Sequence, residues 1–189
     1  EIDADLRRGA PMNRLLQGDV GSSKTAVAAG GAYGLARSGF QSALMAPTEL
    51  LARQHAASID VLLQGRLRIG LLTGSVSTRM RRHLLAAVAA GEVDVLVGTH
   101  ALVAKPLDWK ALALVMIDEQ HRFGVEQRLT LREAARQSTG FDPHTLAMTA
   151  TPIPRTLSMT VWGDLEVSVI KELPPGRQPV HTRAFRLDR

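Results

Sequence analysis

Short apolar runs separated by helical patterns are the feature that most limits how this chain can fold. The runs cover residues 14–17, 41–46, 67–72, 93–97, 112–117, 145–149 and 165–170. Most are apolar throughout and do not alternate with polar residues. That is the pattern of strands covered on both faces, as in a parallel sheet. Helical stretches lie between them. Ser77 can cap a helix whose Met80, Leu84, Leu85 and Val88 share one face, and Thr48 can cap another with Leu51, Ile59 and Leu62 inward. A third is expected over 126–137. This alternation predicts an α/β fold, a doubly wound, mainly parallel sheet with helices on both faces. Ligands of such sheets bind at the carboxyl ends of the strands. The loops after Gln17, Ala46, Leu72, Val97, Ile117 and Thr149 are therefore where a site is expected. The helix after the first strand, 26–36, holds Gly30, Gly31 and Gly34, each costing about 1 kcal/mol relative to Ala. Close packing on the sheet is the expected reason.

Composition narrows the classes. With 189 residues, 45% of them hydrophobic, the chain can bury a full core. It has no cysteine, which excludes disulfides, a thiol nucleophile and cysteine-held metal. No apolar run approaches the roughly 20 residues that span a bilayer, and no secretory signal pattern opens the chain. The expectation is a soluble cytoplasmic protein. A net charge of +5 suits a polyanionic partner, although Arg-rich codon usage explains it equally well. The tail at 172–179 has three prolines and reads as a linker. A strand-like stretch, 180–185, follows with nothing to pair with. The expected organisation is one domain over 1–171, then a linker and the start of a second unit over 172–189, within a longer protein.

Gly18-Asp-Val-Gly-Ser-Ser-Lys24-Thr25 stands between an expected strand and an expected helix. It has the spacing of the P-loop pattern G-x-x-x-x-G-K-[ST], in which backbone N–H groups at a positive helix end hold a polyphosphate. Lys24 would reach the β and γ phosphates and Thr25 would offer its hydroxyl to Mg²⁺. Ser23 stands where the pattern has glycine, and its Cβ is expected to crowd the phosphates or strain the loop. The alternative reading of the segment is a Gly- and Ser-rich turn that starts a helix.

A second element fits the first. The apolar run ending at Ile117 leads into Asp118-Glu119-Gln120-His121, the strand-then-acid layout of a Walker B segment. Asp118 can hold Mg²⁺ and Glu119 can polarise an attacking water as general base. His121 has no second ligand at metal-binding spacing. His55, His83, His100, His144 and His181 are scattered and form no cluster in the sequence.

Together these segments resemble superfamily 2 helicases and translocases. Asp118 to His121 is similar to their motif II, and Ala46-Pro-Thr-Glu-Leu-Leu-Ala-Arg-Gln-His55 to motif Ia. Thr73-Gly-Ser75 and Gly98-Thr-His-Ala-Leu102 are similar to the Ib region, and Thr149-Ala-Thr-Pro-Ile-Pro-Arg155 to motif III. The fuller strings at 16–21, 117–128 and 148–157 resemble the bacterial branched-DNA translocases. The transcription-repair coupling translocases are the related alternative, and Gln120 with 125–128 favours the former. The resemblance implies the first of two RecA-like P-loop NTPase lobes, using ATP and Mg²⁺. It implies branched and duplex DNA and a second lobe of the same protein as partners, and action in recombination and repair. By resemblance, Gly18, Asp19, Val20, Gly21, Ser22, Ser23, Lys24 and Thr25 bind the nucleotide, and Lys24, Asp118 and Glu119 are catalytic. Thr25 and Asp118 hold the metal, and Gln120, His121, Thr149 and Thr151 couple hydrolysis to movement. Thr48, Arg53, Ser75, Thr99 and His100 touch the DNA backbone, with helix capping an equally good role for Thr48 and Ser75. A nucleotide sensor whose loop is impaired by Ser23 is a further alternative. Trp109 and Trp162 are expected in packing, and Arg79, Arg81, Arg82, Arg128, Arg132 and Arg136 on solvated faces.

Overall fold

A computed structural model describes residues 1–119, 125–151 and 165–172. Among the described residues these helices and strands follow one another: α1 (Ile2–Leu6), β1 (Asn13–Gly18), α2 (Lys24–Arg37), β2 (Gln41–Met45), α3 (Glu49–Leu63), β3 (Ile69–Leu72), α4 (Thr78–Ala90), β4 (Val95–Gly98), β5 (Leu112–Asp118), α5 (Val125–Thr139), β6 (His144–Thr149) and β7 (Glu166–Ile170). The strands form one sheet in the order β3-β4-β2-β5-β6-β1-β7, and every pair is parallel. Each expected run is a strand. The ladders of β3 and β4 start at Ile69 and Val95, later than the apolar runs suggested. Just before them the Arg68 guanidinium grips the Asp94 carboxylate at 2.6 Å. Residues 172–189, the expected linker and second unit, lie outside the described residues except for Glu172.

All residues of β2, β4 and β5 are buried, because the period of two sends successive side chains into two separate cores. On one face Leu44, Val95, Val97, Leu114 and Met116 meet Ala28 and Ala32 of α2 and Ala52 and Ile59 of α3. On the other, Ala43, Met45, Leu96, Val115 and Ile117 meet Val88 of α4 and Leu131 and Ala135 of α5. Trp109 belongs to this second core. Thr48 and Ser77 cap α3 and α4, each hydroxyl accepting a backbone N–H three residues on.

Two helical faces differ from expectation. Met80, in the first turn of α4, is exposed, while Val88 further along is buried. Leu62 is also exposed, and the sheet-facing side of α3 is formed by Ala52 and Ile59. The glycines of α2 are only partly explained by packing. A Cβ on Gly31 would stand 3.3 Å from Leu6 of α1 and 3.8 Å from Leu114, whereas one on Gly30 or Gly34 would meet nothing within 4 Å. Those two glycines line a cavity of about 330 Å³ between α1 and α2.

One buried amide holds three elements in register. Gln41 is 3% exposed. Its Nε2 donates to the carbonyls of Val88 and Val93 at 3.0 and 2.8 Å, and its Oε1 accepts the N–H groups of Lys110 and Ala111 at 2.9 and 3.1 Å. Gln41→Leu keeps the volume but removes these partners. Because a buried polar group left without a partner costs about 1–3 kcal/mol, the variant is expected to lose about 3 kcal/mol in urea unfolding. A loss under about 0.5 kcal/mol would contradict this account of the site.

Candidate nucleotide and nucleic-acid site

Strands β5, β6 and β1 are neighbours, so the loops after Asp118, Thr149 and Gly18 open side by side at the carboxyl edge. Helix α2 leaves β1 on one face of the sheet, and the chain beyond β5 continues to α5 on the other. A crevice forms where the two directions part. It holds a cavity of about 690 Å³ lined by loop residues 20–26, by Asp118 and Glu119, by Met148 and Ala150, and by one side of α3.

The loop wraps the end of its own lysine. Lys24 Nζ donates to the carbonyls of Gly18 and Asp19 at 2.7 and 2.8 Å. Burial lowers its pKa below the usual lysine range, and the nearby Asp118 and Glu119 carboxylates act in the opposite direction. Ser22 donates its N–H to Asp19 at 3.1 Å and turns its hydroxyl inward, where it has no hydrogen-bond partner. Gly21 has φ 82° and Ser23 has φ 65°, so two left-handed residues bring the chain into α2. No side chain caps that helix. Its first-turn N–H groups, with the positive end of the helix dipole, suit an anion.

Across the crevice, His55 of α3 lies between the two expected metal ligands. Its Nδ1 is 3.3 Å from the Thr25 hydroxyl and its Nε2 is 2.7 Å from Asp118 Oδ2. Thr25 and Asp118 offer hard oxygen donors, which fits Mg²⁺, an ion that takes few protein ligands and keeps water and phosphate oxygens. Glu119 follows with φ 49°, a left-handed conformation for a side-chain-bearing residue. Such strain is stored most often at functional positions. Thr149 and Thr151 form a tight turn at the end of β6, with hydroxyls 3.0 Å apart. Gln120 and His121 lie outside the described residues.

The other half of the edge, formed by β3, β4 and β2, gathers the expected backbone-contacting residues. Arg53 donates to Glu49 at 2.7 Å and to Ser75 at 3.3 Å, and Ser75 donates to Glu49 at 2.5 Å. The Ser75 and Arg53 hydrogen bonds lower the Glu49 pKa. Arg53 and Ser75 thus meet at a carboxylate that the motif reading did not weigh, while the Thr48 hydroxyl is engaged at the start of α3. Thr99 is buried and its hydroxyl accepts from Ala101 N at 3.4 Å, capping a short 3₁₀ turn over His100–Leu102. His100 itself is exposed.

Residues 6–160 match the model of the DEAD/DEAH box helicase family. The chain belongs to that family. This helicase domain is 56% identical over 183 residues to the ATP-dependent DNA helicase RecG of Bacillus subtilis, which covers 96% of the chain and 26% of RecG. It is 51% identical to RecG of Pasteurella multocida, covering 100% of the chain and 27% of that protein. A solved structure of RecG bound to a three-way DNA junction superposes with a TM-score of 0.79 at 39% identity, over 95% of this chain and 24% of the other. The chain therefore spans about a quarter of the length of the curated relatives it matches. The all-parallel sheet with helices on both faces is the RecA-like architecture that the resemblance implied.

Within the helicase domain, His55 is the site residue that sequence reasoning missed. Its partners, Thr25 and Asp118, come from other elements 30 and 63 residues away. The signal was the helical stripe of Leu51, His55, Ser58 and Leu62, which lines the crevice. A left-handed residue bearing a Cβ costs about 1–2 kcal/mol. Ser23→Gly is accordingly expected to raise unfolding stability by about 1 kcal/mol, read from denaturant midpoints at constant slope. An unchanged or lower midpoint would show that Ser23 is not strained.

Proposed function

We propose that the chain is the ATP-binding lobe of an ATP-dependent DNA helicase that remodels branched DNA in recombination and repair in the bacterial cytoplasm. The observation that carries this reading is the facing of Lys24 and the uncapped start of α2 toward Asp118 and Glu119 across one crevice. The RecG relatives, named ATP-dependent DNA helicases, and the RecG structure on a three-way junction support it further. They also favour it over the transcription-repair coupling alternative.

The loop amides at 20–25 would hold the triphosphate, and the Lys24 ammonium would exchange the carbonyls of Gly18 and Asp19 for phosphate oxygens. Thr25 and Asp118 would hold Mg²⁺, which supplies charge neutralisation to the phosphates when bound. Glu119 would accept the proton of the attacking water at its carboxylate. Thr149 and Thr151, on the neighbouring strand end, would relay a change at the acids, and Gln120 and His121, by resemblance, would take part. DNA would lie along the β3-β4-β2 half of the edge and be bound through its backbone. Thr48, Arg53, Ser75 and His100 provide the contacts there, and Thr99 acts by shaping the turn. Arg53 must then divide its charge between phosphate and Glu49, which weakens its pull on DNA.

Arginine fingers are worth roughly 10³–10⁵ in rate and would come from the second lobe. Calorimetry on the 189-residue chain should therefore find MgATP binding, and Lys24→Ala should weaken it at least about 10-fold, the scale of a lost charge-assisted contact. Turnover should stay slow with or without DNA. Equal affinity in the two proteins would refute the phosphate-binding role of the loop. Rapid DNA-stimulated hydrolysis would refute the division of the catalytic site between lobes.

A further inference from the structure

The geometry points to His55 as a positioning residue that presets both magnesium ligands of this lobe and ties them to the helix carrying the DNA-facing residues. The inference rests on the nucleotide-site reading above. His55 joins Thr25 of α2 at 3.3 Å to Asp118 of β5 at 2.7 Å, linking two elements that do not adjoin in sequence. Its side chain is 12% exposed and that of Asp118 is 11% exposed, so these contacts form largely out of water, where hydrogen bonds are stronger.

The direction of each bond follows from the chemistry. A carboxylate only accepts, so His55 Nε2 carries the hydrogen and donates to Asp118 Oδ2. In the neutral ring Nδ1 is then the acceptor, and the Thr25 hydroxyl donates to it. Fixing the hydroxyl hydrogen on the histidine side turns the Thr25 oxygen lone pairs away from His55. The bond to Oδ2 orients the Asp118 carboxylate and leaves Oδ1 for a metal or its water. Both ring nitrogens are occupied, so His55 is not itself a ligand. It acts as the partners that orient metal ligands do, and losing such a partner typically costs 10–100-fold in metal affinity.

The same ring belongs to α3, whose start is capped by Thr48 and whose first turns carry Glu49 and Arg53. A shift of α3 against the sheet would move His55 relative to Thr25 and Asp118. Binding along the β3-β4-β2 edge and the geometry of the metal ligands are thereby joined through one helix. The bland alternative is that His55 merely satisfies buried polar groups and supports the fold. That alternative predicts a loss of nucleotide affinity that does not depend on magnesium.

The test is a titration of the 189-residue chain with a fluorescent ADP analogue, in EDTA and across a series of free Mg²⁺ concentrations. His55→Ala is expected to need about 10-fold more Mg²⁺ for half of the magnesium-dependent tightening, with its affinity in EDTA within about twofold of the parent. His55→Gln, whose terminal amide can still donate to Asp118, is expected to recover most of the shift. An unmoved Mg²⁺ midpoint in His55→Ala would overturn the inference. So would an equal loss of affinity with and without Mg²⁺. A parent chain that fails to bind the analogue at all would instead refute the nucleotide site, and the inference would fall with it.

Discussion

An ammonium group closed inside a turn of peptide carbonyls gives the carboxyl edge of this sheet its chemistry. Lys24 holds Gly18 and Asp19 through their carbonyl oxygens and so fixes the path of the loop from β1 into α2. That path leaves the start of α2 without a side-chain cap, pointing its N–H groups into the crevice. The same closure places positive charge opposite Asp118 and Glu119, which lie on the strand two places away in the sheet. A polyanion can satisfy the helix end and the lysine together, and a hard cation can satisfy the facing oxygens.

The strand order divides the edge into two halves. Residues implicated in nucleotide chemistry come from β5, β6 and β1, and those implicated in contact with a DNA backbone come from β3, β4 and β2. The halves meet between β2 and β5. Helix α3 starts in one half at Thr48 and reaches the other through His55, which makes it the physical link between them. Motion passed through one packed helix needs no continuous wire of side chains. It needs two arrangements of α3 that differ in how well Thr25 and Asp118 are aligned.

Much of the fold was legible because strands covered on both faces leave an unbroken apolar signature. Even β1, which includes a buried arginine, was readable. Arg14 is paired with Asp5 of α1 at 2.8 Å and Ser168 of β7 at 2.7 Å, so it occupies a strand position without an unpaired charge. Periodicity failed where a helix has more than one apolar partner. Of the three α3 residues expected inward, Ile59 is buried and Leu51 packs partly on the core, but Leu62 is exposed beside the crevice, and the small Ala52 takes a core position instead. The site was legible where local spacing defines it, as in the loop at 18–25 and at Asp118 and Glu119. It was not legible where tertiary contact defines it. The left-handed backbone at Ser23 was signalled by the glycine that the loop pattern has there, whereas neither that at Glu119, nor the Glu49 carboxylate between Arg53 and Ser75, nor the inward turn of Thr99 leaves a mark in the sequence.

Hydrogen exchange with mass spectrometry, with and without Mg²⁺ and a non-hydrolysable ATP analogue, tests the central claim most directly. The account predicts slowed exchange at the loop and first turn of α2, residues 18–27, and at the end of β5, residues 117–119. It predicts no change at α1 or at residues 30–37 of the far half of α2, which line the cavity between the two helices. Protection confined to that cavity, or to the turns after β3 and β4 with the loop unchanged, would contradict it.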